Sequence, residues 1–466
     1  MNAELMFWGF SLRLAQAILE SALTLVVGAV TAGILRRMVG SAGVRKLFGS
    51  GFQGLLRGWL AGLLLPVCSL GVIPVARELR RAGVPTGTIL AFILAAPLLN
   101  PISFLYGLTL AEPSVIVAFS IASLFLSTLA GEMWARVLAP SEEPRNTARA
   151  ARLADEEATP SPGLRRILAV FVTSCRELVN SNAVFYSLGL AGSAIIAALL
   201  PHGSLQHSMQ HADRTAPLQM ALLAGPIYSS PLPGMMKIGL MFEHGNSVGA
   251  SFILFVMGIG LNVGLVFWLA WQFPKGRFAI WLAGWLGVLL LLAFAAEPIL
   301  FDPGQTILDH THAFDDYTNP FLDITSNSSS VMIARLRERF QPTEQFSLAA
   351  LLAMSLLGLV FSAGGGSARL ESWLTQPEAH PNAGERPRKW DRQLPGSVIG
   401  GVAIAGLILL SVVGAYVYYP PPKTTLELMF AVRADAFVAV NMGRREEAIK
   451  CIEELDDLTR KLQVVV

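Results

Sequence analysis

Apolar residues run along this chain in blocks about as long as a lipid bilayer is thick, with short polar segments between them. Crossing a hydrocarbon core takes about 20 mostly apolar residues in a helix, because every backbone N–H and C=O must be paired internally where water is absent. The pattern predicts spanning helices at residues 12–35, 86–110, 114–138, 183–200, 248–271, 278–296, 346–363 and 398–418. Two further apolar stretches, residues 51–81 and 218–242, are interrupted midway by proline, serine and glycine, which cannot continue a helix.

The polar positions say how these two stretches run. Arg and Lys gather in residues 36–57, 77–81, 136–166, 275–277 and 369–392, and the positive-inside rule makes all of these cytoplasmic. The alternation closes only if both interrupted stretches are re-entrant hairpins. If residues 51–81 crossed the membrane, Arg77, Arg80 and Arg81 would land outside and invert every later loop. The second hairpin enters from the outer face, between residues 202–217 and 243–247, which carry almost no basic charge. The two hairpins therefore point toward each other. The loop at 297–344 and the tail at 420–466 fall outside, and residues 140–163, rich in Pro, Ser, Arg and Glu, read as a disordered cytoplasmic linker.

Composition agrees with a bilayer as the solvent: 53% hydrophobic, 15% charged, mean hydropathy +0.53. A net charge of +2 gives no electrostatic footprint for nucleic acid. Cys68, Cys175 and Cys451 are too scattered for a disulfide framework or a closed zinc site. The first ten residues lack a basic n-region and the following helix is too long for a signal peptide, so it reads as a retained anchor.

The halves match in register. Pro66, Ser69 and Arg77 pair with Pro226, Ser229 and Lys237 at one offset, and Gly83, Gly87 and Asn100 pair with Gly245, Gly249 and Asn262 after a two-residue shift. Ser11 and Arg13 likewise find Ser174 and Arg176. The expected fold is an all-α polytopic membrane protein with two inverted repeats. Each repeat holds one helix, one re-entrant broken hairpin and two helices, related by an axis in the membrane plane. The predicted units are a first repeat at 1–139, a linker at 140–165, a second repeat at 166–297 and an outer loop at 298–345. Two additional transmembrane helices with a cytoplasmic loop follow at 346–419, and an outer helical hairpin closes the chain at 420–466.

Candidate chemistry concentrates at the two breaks, Pro66-Val-Cys-Ser-Leu-Gly-Val-Ile-Pro74 and Pro226-Ile-Tyr-Ser-Ser-Pro-Leu-Pro233. Broken helices are tolerated in hydrocarbon only where the freed backbone is buried in protein or lines a polar cavity, so a pocket between the breaks is the expected binding site. The half-helices after each break would aim N–H groups at an anion or a lone pair there. Ser69, Ser229 and Ser230 can donate hydrogen bonds, and Cys68 offers a polarizable sulfur for a thiophilic solute. Cys68 read plainly is a small buried hydrophobe. Asn100 and Asn262 add amides near mid-helix, or else a helix-to-helix bond worth about 0.6 kcal/mol. Arg77 and Lys237 either attract an anion or anchor at the interface by snorkelling. Among Glu20, Glu78, Glu112 and Glu132, only Glu20 lies deep enough to couple protons.

The first break, with Arg-Arg-Ala-Gly83 and Ala91-Phe-Ile-Leu-Ala-Ala-Pro-Leu-Leu-Asn-Pro101 after it, resembles the predicted-permease family that includes the organoarsenical efflux permeases. The resemblance is specific over residues 51–106 and extends to 298. It implies export of a small solute, trivalent methylated or aromatic arsenicals for some members. By position it highlights Cys68, Ser69, Gly71, Pro74, Pro97 and Asn100, and with the second break it brings Pro66 and Pro233 into the candidate site. Where the family often has a second cysteine this chain has Leu70, so a dithiol cannot form at this motif.

Outside the core, Asp309, His310 and His312 could hold a divalent metal, although acidic loops with histidine are commonly just solvated. Residues 424–441 and 444–463 read as a helical hairpin turning at Gly443, which packs on itself or offers a surface for a homo-oligomer or a periplasmic partner. Three functions follow: a secondary transporter exporting a small anionic or soft metalloid solute, a metal-handling protein or enzyme using the outer His and Asp loop, or a passive channel. No HExxH, Walker A or nucleophile-elbow motif points to an enzyme, no cofactor is implied, and the expected partners are a small solute and the lipid bilayer.

Overall fold

The computed structural model describes residues 3–98, 104, 107, 113–138, 148–152, 165–211, 213–301, 311, 313–321, 328–340, 342–363, 366–375, 401, 405–406 and 422–465. Every regular element among them is helical. α1 runs unbroken over Ala3–Phe48, with a π-helical turn at Leu35–Val39. α2 (Gly51–Leu63) and α3 (Val72–Arg81) flank the first break, and α4 (Thr86–Leu98) and α5 (Ser114–Leu138) follow. α6 (Arg165–Val179) and α7 (Ala183–Leu199) meet at a 50° bend. α8 (Ala216–Ala224) and α9 (Pro231–Glu243) flank the second break, and α10 (Val248–Ile259) and α11 (Val263–Gln272) meet at 58°. α12 (Lys275–Leu300), α13 (Ser328–Arg339), α14 (Pro342–Ser362) and α15 (Gly366–Thr375) come next, and α16 (Pro422–Asn441) and α17 (Arg445–Val465) form a hairpin about Gly443.

α1, α5, α12 and α14 are each long and apolar enough to cross a membrane, and the two bent pairs raise the number of such helices to six among the described residues. The structure differs from the sequence pattern in three places. The apolar run at 248–271 is two helices, because Asn262 is extended and caps α11 rather than continuing α10. The run at 183–200 is only the second arm of a bent pair that starts at Arg165. The run at 86–110 forms α4 as far as Leu98, and the expected span at 398–418 lies almost wholly outside the described residues.

The packing order repeats. α2 lies on α4 and α4 on α5, as α8 lies on α10 and α10 on α12, while α1 packs on α6 and α7. Every residue of α4 from Gly87 to Leu98 is buried, as expected of a helix apolar on all sides. Small residues let backbones touch. A β-carbon on Gly28 would fall 2.0 Å from the Gly71 carbonyl oxygen, so α1 runs directly against the first break.

Beyond the core, α15 docks through Glu371, which pairs with Arg37 and, at 2.9 Å, with Arg176. Burial pushes this carboxyl up, but the hydrogen bond and charge of Arg37, with Arg176 and Arg36, outweigh burial and hold it below its ordinary 4.5. A depressed folded value means the contribution is complete above the ordinary value and is lost as pH falls through the folded one. Protection of α15 against hydrogen exchange, taken relative to the intrinsic rate at each pH, should therefore hold from neutral pH down to the ordinary carboxylate range and be lost as pH falls further below it, by the same linkage.

Gly28→Val should destabilise the protein by about 1–3 kcal/mol or prevent folding, since it drives a side chain into backbone. Gly276→Ala, where nothing lies within 4 Å, should be neutral or mildly stabilising. Thermal unfolding in detergent compares the two.

Candidate functional site

The first break is held by its own side chains. After Leu63 the chain loses helical pairing through Pro66, and it re-enters at Val72 with the Val72 N–H donating to the Cys68 carbonyl and the Ile73 N–H to that of Leu70. The Cys68 thiol sulfur accepts from the Gly71 N–H at 3.2 Å and from the Thr24 hydroxyl at 2.9 Å. Pro74 sits in the first turn of α3 and brings no N–H. The N-terminal donors of α3 are thus already engaged, which corrects the expectation that they point unpaired into a pocket.

The second break is poorer still in donors. α9 opens Pro231-Leu232-Pro233-Gly234, where both prolines lack an N–H and Gly234 donates to the Ser230 carbonyl at 3.0 Å. The Ser229 N–H reaches across to the Gly258 carbonyl at 3.1 Å, tying the break to α10. Backbone amides at this half-helix offer little to an anion, so side chains must carry recognition.

Those side chains do meet. Asn262 Nδ2 donates to Ser69 Oγ at 2.6 Å while its Oδ1 accepts from the Leu265 N–H at 3.0 Å, and both side chains are fully buried. The bend between α10 and α11 therefore seats directly on the first break. Tyr228, from the second break, lies beside Cys68 and Thr24, and its buried hydroxyl closes no hydrogen bond of ordinary geometry. Cys68, Ser69, Thr24, Tyr228 and Asn262 form one polar junction inside an apolar bundle. Ser229 and Ser230 are buried on the α10 side of it, and Pro66, Gly71, Pro74 and Pro233 shape its backbone. Asn100, Asp309, His310 and His312 lie outside the described residues.

The comparisons with known proteins fit this arrangement. A model of the family described as predicted permease matches residues 9–296, more than half of the chain and all of the junction. The chain belongs to the predicted permease family. A relative within the curated proteins, UPF0718 protein YcgR of Bacillus subtilis (strain 168), is 32% identical over 103 residues, which is 22% of this chain and 35% of YcgR. The match thus spans about a third of that relative. No solved structure matches the chain. Family membership and the long apolar helices together make this permease-family chain a multi-pass membrane protein.

Arg77 and Lys237, both within that family region, are paired across the bundle. Arg77 reaches Glu177 on α6 at 3.1 Å, where Asn180 also donates at 2.7 Å, and Lys237 reaches Asp316 at 3.4 Å with a side chain only 8% exposed. Sequence reasoning passed over Thr24, Tyr228 and Glu177, and took Asp316 only as the end of the outer His and Asp stretch. Tyr228 alone carried a local signal, since it lies within the break itself.

Replacing Asn262 by Ala should cost about 1–3 kcal/mol, because the Ser69 hydroxyl and the Leu265 N–H would be left buried without a partner. Reversible SDS unfolding in mixed micelles would read this, and an unchanged midpoint would show that the junction is wet.

Proposed function

We propose that this protein is a permease of the bacterial inner membrane, a secondary transporter that exports a small anionic or soft metalloid solute through the junction between the two broken hairpins. The observation that carries the reading is the fully buried Asn262–Ser69 hydrogen bond at 2.6 Å, which joins the bend of one half to the break of the other. Buried polar groups in an apolar bundle are costly and mark solute paths more often than not. Next to Ser69 lies the Cys68 thiol, with the hydroxyl-bearing Thr24 and Tyr228 beside it, a donor set able to hold a solute. Glu20, partly buried one turn before Thr24 on α1, is the group proposed to move a proton with it.

An inverted repeat supports alternation between two access states. Gly87 would strike the Gly131 carbonyl at 2.6 Å if it carried a β-carbon, and Gly249 would strike that of Ala293 at 2.4 Å. Gly87 with Gly249, and Gly131 with Ala293, stand at the same offset along the chain, so equivalent helices cross at equivalent positions. In this topology the C-terminal hairpin is periplasmic.

The substrate side rests on Cys68. One thiol with Leu70 two residues on gives a single soft ligand, suited to a monothiol contact with an organoarsenical-like solute and unable to chelate one. The metal-handling or enzyme alternative rests on Asp309, His310 and His312, which lie outside the described residues.

The test is resistance and efflux in cells expressing the full chain, challenged with a trivalent aromatic arsenical and, separately, with selenite and sulfite. Ser69→Ala and Ser229→Ala should each lower efflux about tenfold or more, as expected when a buried hydrogen-bonding group is lost from a recognition site. Cys68→Ala should spare oxyanions and lose the arsenical. Wild-type efflux by both serine variants at wild-type membrane abundance would sink the reading.

A further inference from the structure

Arg13 on α1 and Lys237 on α9 converge on a single carboxylate. Arg13 Nη1 lies 3.1 Å from Asp316 Oδ1 and Lys237 Nζ 3.4 Å from Asp316 Oδ2. The two cationic side chains are 10% and 8% exposed, whereas the Asp316 side chain is 31% exposed. The cations are thus set into the bundle and the carboxylate covers them from its edge. The Tyr317 ring lies under the Lys237 ammonium at 4.5 Å, and the buried Tyr317 hydroxyl stands beside Ser229 and Lys237 without closing a hydrogen bond.

The two kinds of residue differ in origin along the chain. Arg13 and Lys237 fall within the family match at 9–296, but Asp316 lies on the appended segment beyond it. That segment is held down through the same arginine, whose Nη2 donates to the carbonyls of Asp315 at 2.6 Å and Thr318 at 3.0 Å. Asn319 anchors its far end by donating to the Leu5 and Ala198 carbonyls at 3.1 and 3.3 Å.

We infer that Arg13 and Lys237, with the Ser229 hydroxyl, form a binding site for a small oxyanion or carboxylate, and that Asp316 occupies it as an internal competitor. A guanidinium and an ammonium facing one carboxylate present the donor geometry that recognises any small anion with two accepting oxygens. Two buried cations need a counter-charge, and the one supplied is the most exposed member of the cluster, hence the one a solvent anion can replace. An arriving anion that displaces Asp316 would also release the segment at 313–321 from the second break, coupling binding to opening on that face. The place of this site on a transport path rests on the permease reading; the anion binding itself does not.

The test uses the full-length protein in nanodiscs with inorganic sulfate as the probe and chloride at matched ionic strength as the control. Asp316→Asn should unfold at a lower temperature than wild type in chloride and recover in sulfate. It should also bind sulfate roughly tenfold or more tighter than wild type, because a tethered competitor acts at millimolar effective concentration. Adding Lys237→Gln should abolish both responses. A sulfate response absent from Asp316→Asn, or one that survives Lys237→Gln, overturns the site.

If Asp316→Asn does not fold, Thr318→Cys decides. Its labelling by a water-soluble maleimide should be severalfold faster in sulfate than in chloride, since Thr318 belongs to the docked segment and is fully buried while that segment is in place. Equal rates overturn the inference. Sulfate binding as expected alongside normal efflux by the Ser69 and Ser229 variants removes the transport pocket and keeps the anion site, and the opposite pattern does the reverse.

Discussion

A helix broken inside an apolar bundle must find partners for the backbone groups it frees, and this requirement organises the centre of the molecule. The first break satisfies itself locally, with the Cys68 carbonyl and thiol taking the N–H groups of Val72 and Gly71. The second break is satisfied at a distance, through the Ser229 N–H and the Gly258 carbonyl. Asn262 then closes the arrangement by capping α11 with its carbonyl oxygen and holding Ser69 with its amide. Water is excluded there, so each such bond is worth more to make and costs more to lose than at a surface. The polar residues at the junction therefore hold the two breaks together, and it is this same set that the proposed transport reading assigns to the solute.

The same logic governs charge. Arg77, Lys237, Arg13 and Arg176 each meet a carboxylate from another part of the chain: Glu177, Asp316, Asp316 again, and Glu371. Arg13 and Arg176 each fasten a segment that lies beyond the family match, the loop around Asp316 for one and α15 for the other. The appendages are thereby latched to the core at its most cationic points. Ion pairs formed across elements in this way are weak glue when exposed but demand a partner when buried, which makes them suited to contacts that exchange one anion for another.

Pairing of helices depends less on charge than on the absence of side chains. Gly28 against Gly71, Gly87 against Gly131 and Gly249 against Ala293 bring backbones into contact that no larger residue would permit. In a bilayer, where lipid tails are as apolar as leucine, such close approach is a principal source of helix association.

Much of this was legible in the residues alone. Apolar block length marked the long helices α1, α5, α12 and α14, and proline with serine and glycine marked both breaks, because spanning length and helix interruption are local consequences of backbone hydrogen bonding. The family could be read from the first break and the asparagine motif that follows. What the residues alone did not reveal was which polar groups meet. Ser69 finds Asn262 across 193 positions, Tyr228 comes to rest beside Cys68, and Asp316 lands between two cations that precede it in the chain. The bend at Asn262 was also hidden, since an unbroken apolar run reads as one helix until a neighbour claims the amide. Local pattern sets which segments leave water and where they must break; only the packed bundle decides which partner each freed or buried polar group receives, because that pairing depends on distances in space that sequence separation does not encode.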